Sequence, residues 1–115
     1  MWFKEHCKRC LDVLGKEFSE VHLWLDALAN KPQHDRGGWM TLESPRGGGP
    51  LNPYHRRYRH NAEGIEHVRQ RWGDEAAEAA KLHILDDHFG PCPHPDAHVG
   101  QIPLNEADYV AKGWF

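Results

Sequence analysis

Apolar residues recur every three or four positions along much of this chain, and the recurrence sets out its helices. Phe3, Cys7, Cys10 and Leu14 step by 4, 3 and 4, which places them on one face of a first helix. Gly15 is its expected stop, because glycine favours the residue after a helix end. Phe18, Val21, Leu25 and Leu28 step by 3, 4 and 3 and predict a second helix, halted by Asn30-Lys31-Pro32. Tyr54, Tyr58, Ile65, Val68 and Trp72 predict a third helix from Pro53 to Trp72, passing over one polar step at Asn61. Pro53 fits its first turn, where the missing N–H costs nothing, and Gly73 ends it. Asp74 suits the N-cap of a fourth helix running to about His88, with Gly90 as its stop.

The fourth helix is two-sided. Leu82, Leu85 and Phe89 make a bulky stripe, while Ala76, Ala80, His83 and Asp87 step by 4, 3 and 4 on another side. Alanines let a neighbouring helix come close, which would bring His83 and Asp87 inside. Asn105 with Asp108 resembles a capping box for a short last helix through Lys112. Gly113 ends it and leaves Trp114 and Phe115 to pack back.

Two segments lack this periodicity. Residues 30–53 hold five glycines and four prolines, a loop long enough to be either a lid or plain padding, with a short strand an option at Trp39–Leu42. Residues 90–103 form a Pro/His-rich loop. The expected fold is therefore mostly α: a small single-domain bundle, residues 1–115, of about four helices plus a short C-terminal one. A chain of 115 residues is one domain by length.

Composition narrows the class. Only 39% of residues are hydrophobic and the mean hydropathy is −0.79, so the core is modest and no apolar run reaches membrane-span length. The start lacks the basic-then-apolar order of a signal peptide, and three cysteines argue against a disulfide framework. A cytoplasmic protein is expected. The net charge of −3 argues against bulk nucleic-acid binding. Charge is uneven, however. Arg56, Arg57, Arg59, Arg69 and Arg71 face only Glu63 and Glu66 between Pro53 and Trp72. Such a basic stretch suits an anionic ligand or partner; intrahelical ion pairs on a solvated face are the competing reading.

The ten histidines change the picture most, since imidazole is the commonest metal ligand. His22 with Asp26, and His83 with Asp87, are four apart. That is one helical turn, so each pair can grip a single ion. Imidazole with carboxylate suits zinc, manganese or iron. His60 would add a ligand, though a continuous helix puts it about 140° from Ile65, at the edge of the core. The bland alternative pairs each histidine with its own aspartate as a hydrogen-bonded core group. A second, weaker zinc candidate is Cys7, Cys10, Cys92 and His94; buried free thiols are the competing reading.

The residues Tyr54 to Ile65 resemble a family of small histidine-rich bacterial and phage proteins defined by a domain of unknown function. Its pattern has an early His, which His6 matches, and a His-x-Trp-x-Asp motif, matched by His22-Leu23-Trp24-Leu25-Asp26. His55-Arg56 and His60-Asn61 with Gly64-Ile65 match its central helix. His83 and Asp87 take the place of its later His and Asp, Gly100-Gln101-Ile102-Pro103 matches its Gly-x-Ile-Pro, and Asp108-Tyr109 its end. The loop after Asn30 and the Pro-Cys-Pro-His segment stand as insertions. The resemblance implies a shared site but names no chemistry.

The leading expectation is a metal-binding protein using His22, Asp26, His60, His83 and Asp87, working as a metal-dependent hydrolase. The metal would lower the pKa of a bound water. Arg56, Arg57 or Arg59 would hold a phosphate-containing anion, and Asp86 or Glu63 would take the proton. This is distantly similar to helical phosphohydrolases, but their His-Asp dipeptide occurs here only as His34-Asp35 in the loop. Two other classes remain. One is a non-catalytic, phage-encoded interaction or inhibitor protein using the loop, with Trp39 and Arg46, and the basic helix. The other is an anion or nucleotide binder that needs no metal.

Overall fold

The computed structural model describes residues 2–27 and 56–114; of Arg56 and Arg57 only the backbone is described. The described chain is mostly α-helical, as expected. Its elements are α1 (Phe3–Leu14), α2 (Ser19–Asp26), α3 (Arg56–Arg59), α4 (Ala62–Trp72), α5 (Asp74–Phe89), a 3-10 turn at Val99–Gln101, and α6 (Glu106–Ala111). The expected loop at residues 30–53 and the strand at Trp39–Leu42 lie outside the described residues. No described helix is long and apolar enough to cross a membrane.

Helix α5 is the axis. Ala76, Ala77, Ala79, Ala80 and the whole run from Leu82 to Asp86 are buried. A helix covered nearly all round is a core helix rather than a two-sided surface one. Its alanines let α1, α2 and α4 pack against it, and Leu82, Ile84 and Leu85, each 1% exposed or less, contribute about 1.5–3 kcal/mol apiece by burial. Gly73, not Asp74, is the N-cap, at φ 103. Asp74 and Glu75 fall in the first turn, where negative charge meets the positive end of the helix dipole. Gly90 ends the helix, as its position predicts.

The face of α1 is rotated from the expected stripe. His6, Cys7 and Cys10 point inward, while Phe3 is 36% exposed. A histidine therefore occupies core that the periodicity reserved for a phenylalanine. Gly15 closes α1 at φ 85, its N–H donating to the Leu11 carbonyl at 3.0 Å. Helix α2 starts at Ser19 behind Phe18, which holds φ 50.

The largest departure is the stretch from Pro53 to Trp72. Its predicted start at Pro53 lies outside the described residues, and residues 56–72 are not one helix. The chain breaks at His60–Asn61 into α3 and α4. Asn61 is fully extended, at φ −151, and its side-chain oxygen accepts the Gly64 N–H at 2.9 Å. This is ordinary N-capping, and Asn61 was the polar step in the apolar pattern. The Ala62 N–H donates outward to the Pro103 carbonyl at 2.8 Å. The chain folds back so tightly that a Cβ on Gly64 would sit 1.9 Å from the Arg59 carbonyl oxygen. Glycine is needed there to clear Arg59.

The break turns Arg59 and His60 into the core, both at 0% exposure. The Arg59 guanidinium donates to the Trp24 carbonyl at 2.6 Å and lies over the Trp24 ring at 4.2 Å. Helix α6 holds the other side. Asn105 caps it by accepting the Asp108 N–H at 3.1 Å, and Asp108 accepts the Leu104 N–H at 2.9 Å. Buried Tyr109 donates its hydroxyl to the His60 carbonyl. Trp114 packs back on His88 at 4.3 Å.

Candidate metal centre

Four helical segments each deliver polar side chains to one buried point. His6 comes from α1, His22 and Asp26 from α2, His60 from the α3–α4 break, and His83 and Asp87 from α5. The four histidines are at most 1% exposed. The Asp87 side chain is 3% exposed and that of Asp26 29%, so Asp26 marks the side nearest solvent.

His83 is the hub. Its Nε2 lies 3.3 Å from Asp26 Oδ1 and 3.4 Å from Asp87 Oδ2. Asp87 Oδ2 is in turn 3.3 Å from His60 Nδ1. The opposite nitrogen of His60 lies 3.2 Å from the Leu25 carbonyl oxygen and 3.3 Å from Asp26 Oδ1. Donation of Nε2–H to that carbonyl leaves Nδ1 as the metal-ligating atom, a common way to orient a ligating imidazole. Charge-assisted hydrogen bonds run at about 2.7–2.9 Å, shorter than these contacts. Donors about 2.0–2.1 Å from a tetrahedral ion lie roughly 3.3–3.4 Å apart. The pairs Asp26–His83, His83–Asp87 and Asp87–His60 have that spacing, and the four residues bring donor atoms within 4.8 Å of one another, a group able to hold a metal ion.

A second group overlaps the first: His6, His22 and His83. His22 Nδ1 faces His83 Nδ1 at 2.9 Å, and His22 Nε2 faces the Cys10 thiol at 3.1 Å. His6 Nε2 is 3.1 Å from Asp87 Oδ1, and the His6 ring stacks on His83 with centroids 3.6 Å apart.

Burial pulls against charge throughout. Burial pushes the pKa of His22 and His60 down to about 3, and that of His6 below its ordinary value, so these rings are neutral. Burial acts the same way on His83, but the Asp26 charge and the hydrogen bonds His83 donates to both carboxylates overcome it and raise His83 to about 9. Burial would raise Asp26 and Asp87, yet the surrounding histidines hold both well below the usual carboxylate range. The centre therefore has two carboxylates fixed in ionised form, which a divalent ion matches.

All five residues expected as ligands meet here. The pairing differs, because His22 approaches the Nδ1 side of His83 while Asp26 approaches the Nε2 side. His60 sits at the centre rather than the edge of the core, because the chain breaks beside it. His6 was reachable only as the early His of the family resemblance. Its local signal is the spacing of four from Cys10, on the face of α1 that proved to be buried.

Other expectations change. Arg59 is spent on Trp24 in the core and is no surface anion contact. The side chains of Arg56 and Arg57 lie outside the described residues. Asp86, a candidate proton acceptor, is instead structural: it pairs with Arg9 Nε at 3.2 Å and accepts the Cys92 N–H at 2.6 Å. Glu63, the other, is exposed in the first turn of α4. The cysteine site does not assemble. Cys10 faces His22, the Cys92 thiol donates to the Gly90 carbonyl at 3.4 Å, and exposed His94 accepts the Asp96 N–H at 3.1 Å. Neither gathered group includes a cysteine, and burial pushes all three thiols up, Cys10 to about 12. The buried-thiol reading holds. His67 stacks on Trp24 at 4.6 Å and takes no part.

Compared with family models, curated proteins and solved structures, the chain matches none.

Proposed function

We propose that this protein binds a divalent transition metal, zinc, manganese or iron, through Asp26, His60, His83 and Asp87, and uses it to hydrolyse an anionic, phosphate-containing substrate. The observation that carries the metal reading is the 3.3–3.4 Å spacing of the donor atoms around His83 Nε2. Nitrogen and carboxylate donors of this kind suit those three metals. Hydrolysis is supported by the partial exposure of Asp26, which gives water one side of approach. A metal there would lower the pKa of bound water toward neutrality. An anionic substrate is supported by Arg56 and Arg57, which open α3 immediately before the His60 break.

Two measurements test this in order. Untagged protein analysed for metals should carry transition metal at the chain's own molar level, and metal removal should lower its melting temperature, with re-addition restoring it. A preparation that neither holds nor gains metal would sink the reading. Metal-loaded protein should then turn over a generic phosphate ester, and lose that activity with chelator. Metal binding without turnover would leave a structural metal in a non-catalytic interaction protein.

A further inference from the structure

The six residues of the centre are more than one tetrahedral ion uses. They also divide by atom. His83 presents Nε2 to Asp26 and Asp87 and Nδ1 to His22. Asp87 divides likewise: Oδ2 faces His60 and His83, and Oδ1 faces His6 at 3.1 Å. Both shared residues thus turn one donor atom to each side. On the far side, His6 Nδ1 is a fully buried ring nitrogen with no hydrogen-bond partner among the described residues. A buried polar atom left without a partner is costly, and a metal ion would satisfy it.

We propose that the centre takes two divalent cations, the second on the His6–His22 side, with His83 and Asp87 shared between them. The proposal rests on the metal reading above and extends it. Ion one takes Asp26, His60, His83 Nε2 and Asp87 Oδ2. Ion two takes His22 Nδ1, His83 Nδ1 and His6, with Asp87 Oδ1 alongside. His6 lies flat on His83, with the ring planes 17° apart, and imidazole binds metals in its own plane. Uptake of the second ion therefore turns the His6 ring out of the stack. With His83 bridging as an imidazolate, which keeps neither ring proton, the ligands carry three negative charges against four positive. The surplus charge is met by a hydroxide or an anion, which agrees with a phosphate-containing substrate.

Zinc and copper are the probes. Untagged full-length protein, stripped with chelator, reloaded with excess zinc and desalted, should retain two zinc ions per chain. The double variant His6→Ala/His22→Ala should retain one. Copper(II) gives a second readout that needs no variant. Two copper ions joined through one imidazole ring couple magnetically, so the electron paramagnetic resonance signal should rise to one equivalent and fall by at least half on the second. One zinc per chain in the unaltered protein overturns this proposal and leaves the single-ion reading intact. No zinc removes both. Two zinc ions in the double variant, or a copper signal growing linearly to two equivalents, overturns the shared site. If the double variant fails to fold by circular dichroism, the copper titration decides.

Discussion

The two halves of the metal centre are built in opposite ways. His83 and Asp87 sit four apart on α5, an unbroken helix of 16 residues, and their geometry follows from the helical repeat. His60 sits where a helix stops. Its position depends on Asn61 leaving the helical region, on Gly64 clearing the Arg59 carbonyl, and on Tyr109 holding the His60 carbonyl. The first half is robust and periodic. The second is a local device in which several specific residues must agree. Damage to the first half should remove the metal; damage to the second should loosen it.

The largest effect is expected at the hub. His83→Ala removes the residue common to both donor groups and takes away the imidazole that lies 3.3 Å from Asp26 and 3.4 Å from Asp87. Breaking a buried pair from one side costs about 3–5 kcal/mol. The variant should carry less than about a tenth of the wild-type metal, and its melting temperature should no longer respond to added zinc. Retained metal at wild-type level would take His83 out of the centre.

A pH profile should separate the α5 half from its neighbours. In chelator-treated protein, His83 is raised from 6.5 to about 9. Its contribution is complete below pH 6.5 and is lost as pH rises toward 9, on the order of 3 kcal/mol. His6, His22 and His60 are lowered, so they take stability away as pH falls below 6.5. Denaturant unfolding of the stripped protein should show a maximum near pH 6.5. Metal-loaded protein, with His83 already deprotonated, should lose the alkaline fall. An alkaline limb unchanged by metal would contradict the assignment of His83.

The same contrast explains what could be read in advance. The ends of α1 and α5 and the α6 cap were legible, because Gly15, Gly90 and Asn105 act through their own backbone neighbours. His83 with Asp87 was legible for the same reason. His60 was misplaced because an apolar stripe running through Tyr58 and Ile65 hides a break between them. The N-cap residue that makes the break, Asn61, is the polar step in that stripe. Arg59 followed the error, since an arginine on a continuous helix belongs at the surface, and the turn delivers it to Trp24. Asp86 could not be assigned because its partners, Arg9 and Cys92, are a tertiary matter that no local spacing encodes.

Gly64→Ala tests the break directly. Its Cβ would fall 1.9 Å from the Arg59 oxygen, a backbone atom that cannot step aside alone. Overpacking of this kind costs about 1–3 kcal/mol. The variant should fold less stably and hold metal more weakly, since moving Arg59 moves His60. Gly100→Ala is the control, because a Cβ there meets nothing within 4 Å; it should change neither stability nor metal content. Equal behaviour of the two would mean that the tight return at Arg59 does not govern the site.

The smallest effect is expected at Asn61, through the hydrogen bond that caps α4. Asn61→Ala deletes the oxygen that accepts the Gly64 N–H, and loss of such a cap costs about 1 kcal/mol. Asn61→Asp keeps an acceptor and adds a negative charge at the positive end of α4, so it should restore most of the loss. Both substitutions sit next to His60, but neither alters a ligand. Zinc affinity should therefore fall modestly in the alanine variant and recover in the aspartate variant, in step with stability. If affinity fell equally in both, proximity to the metal rather than capping would explain Asn61. If stability failed to recover in the aspartate variant, the helix break would have to be held chiefly by Gly64 and Tyr109.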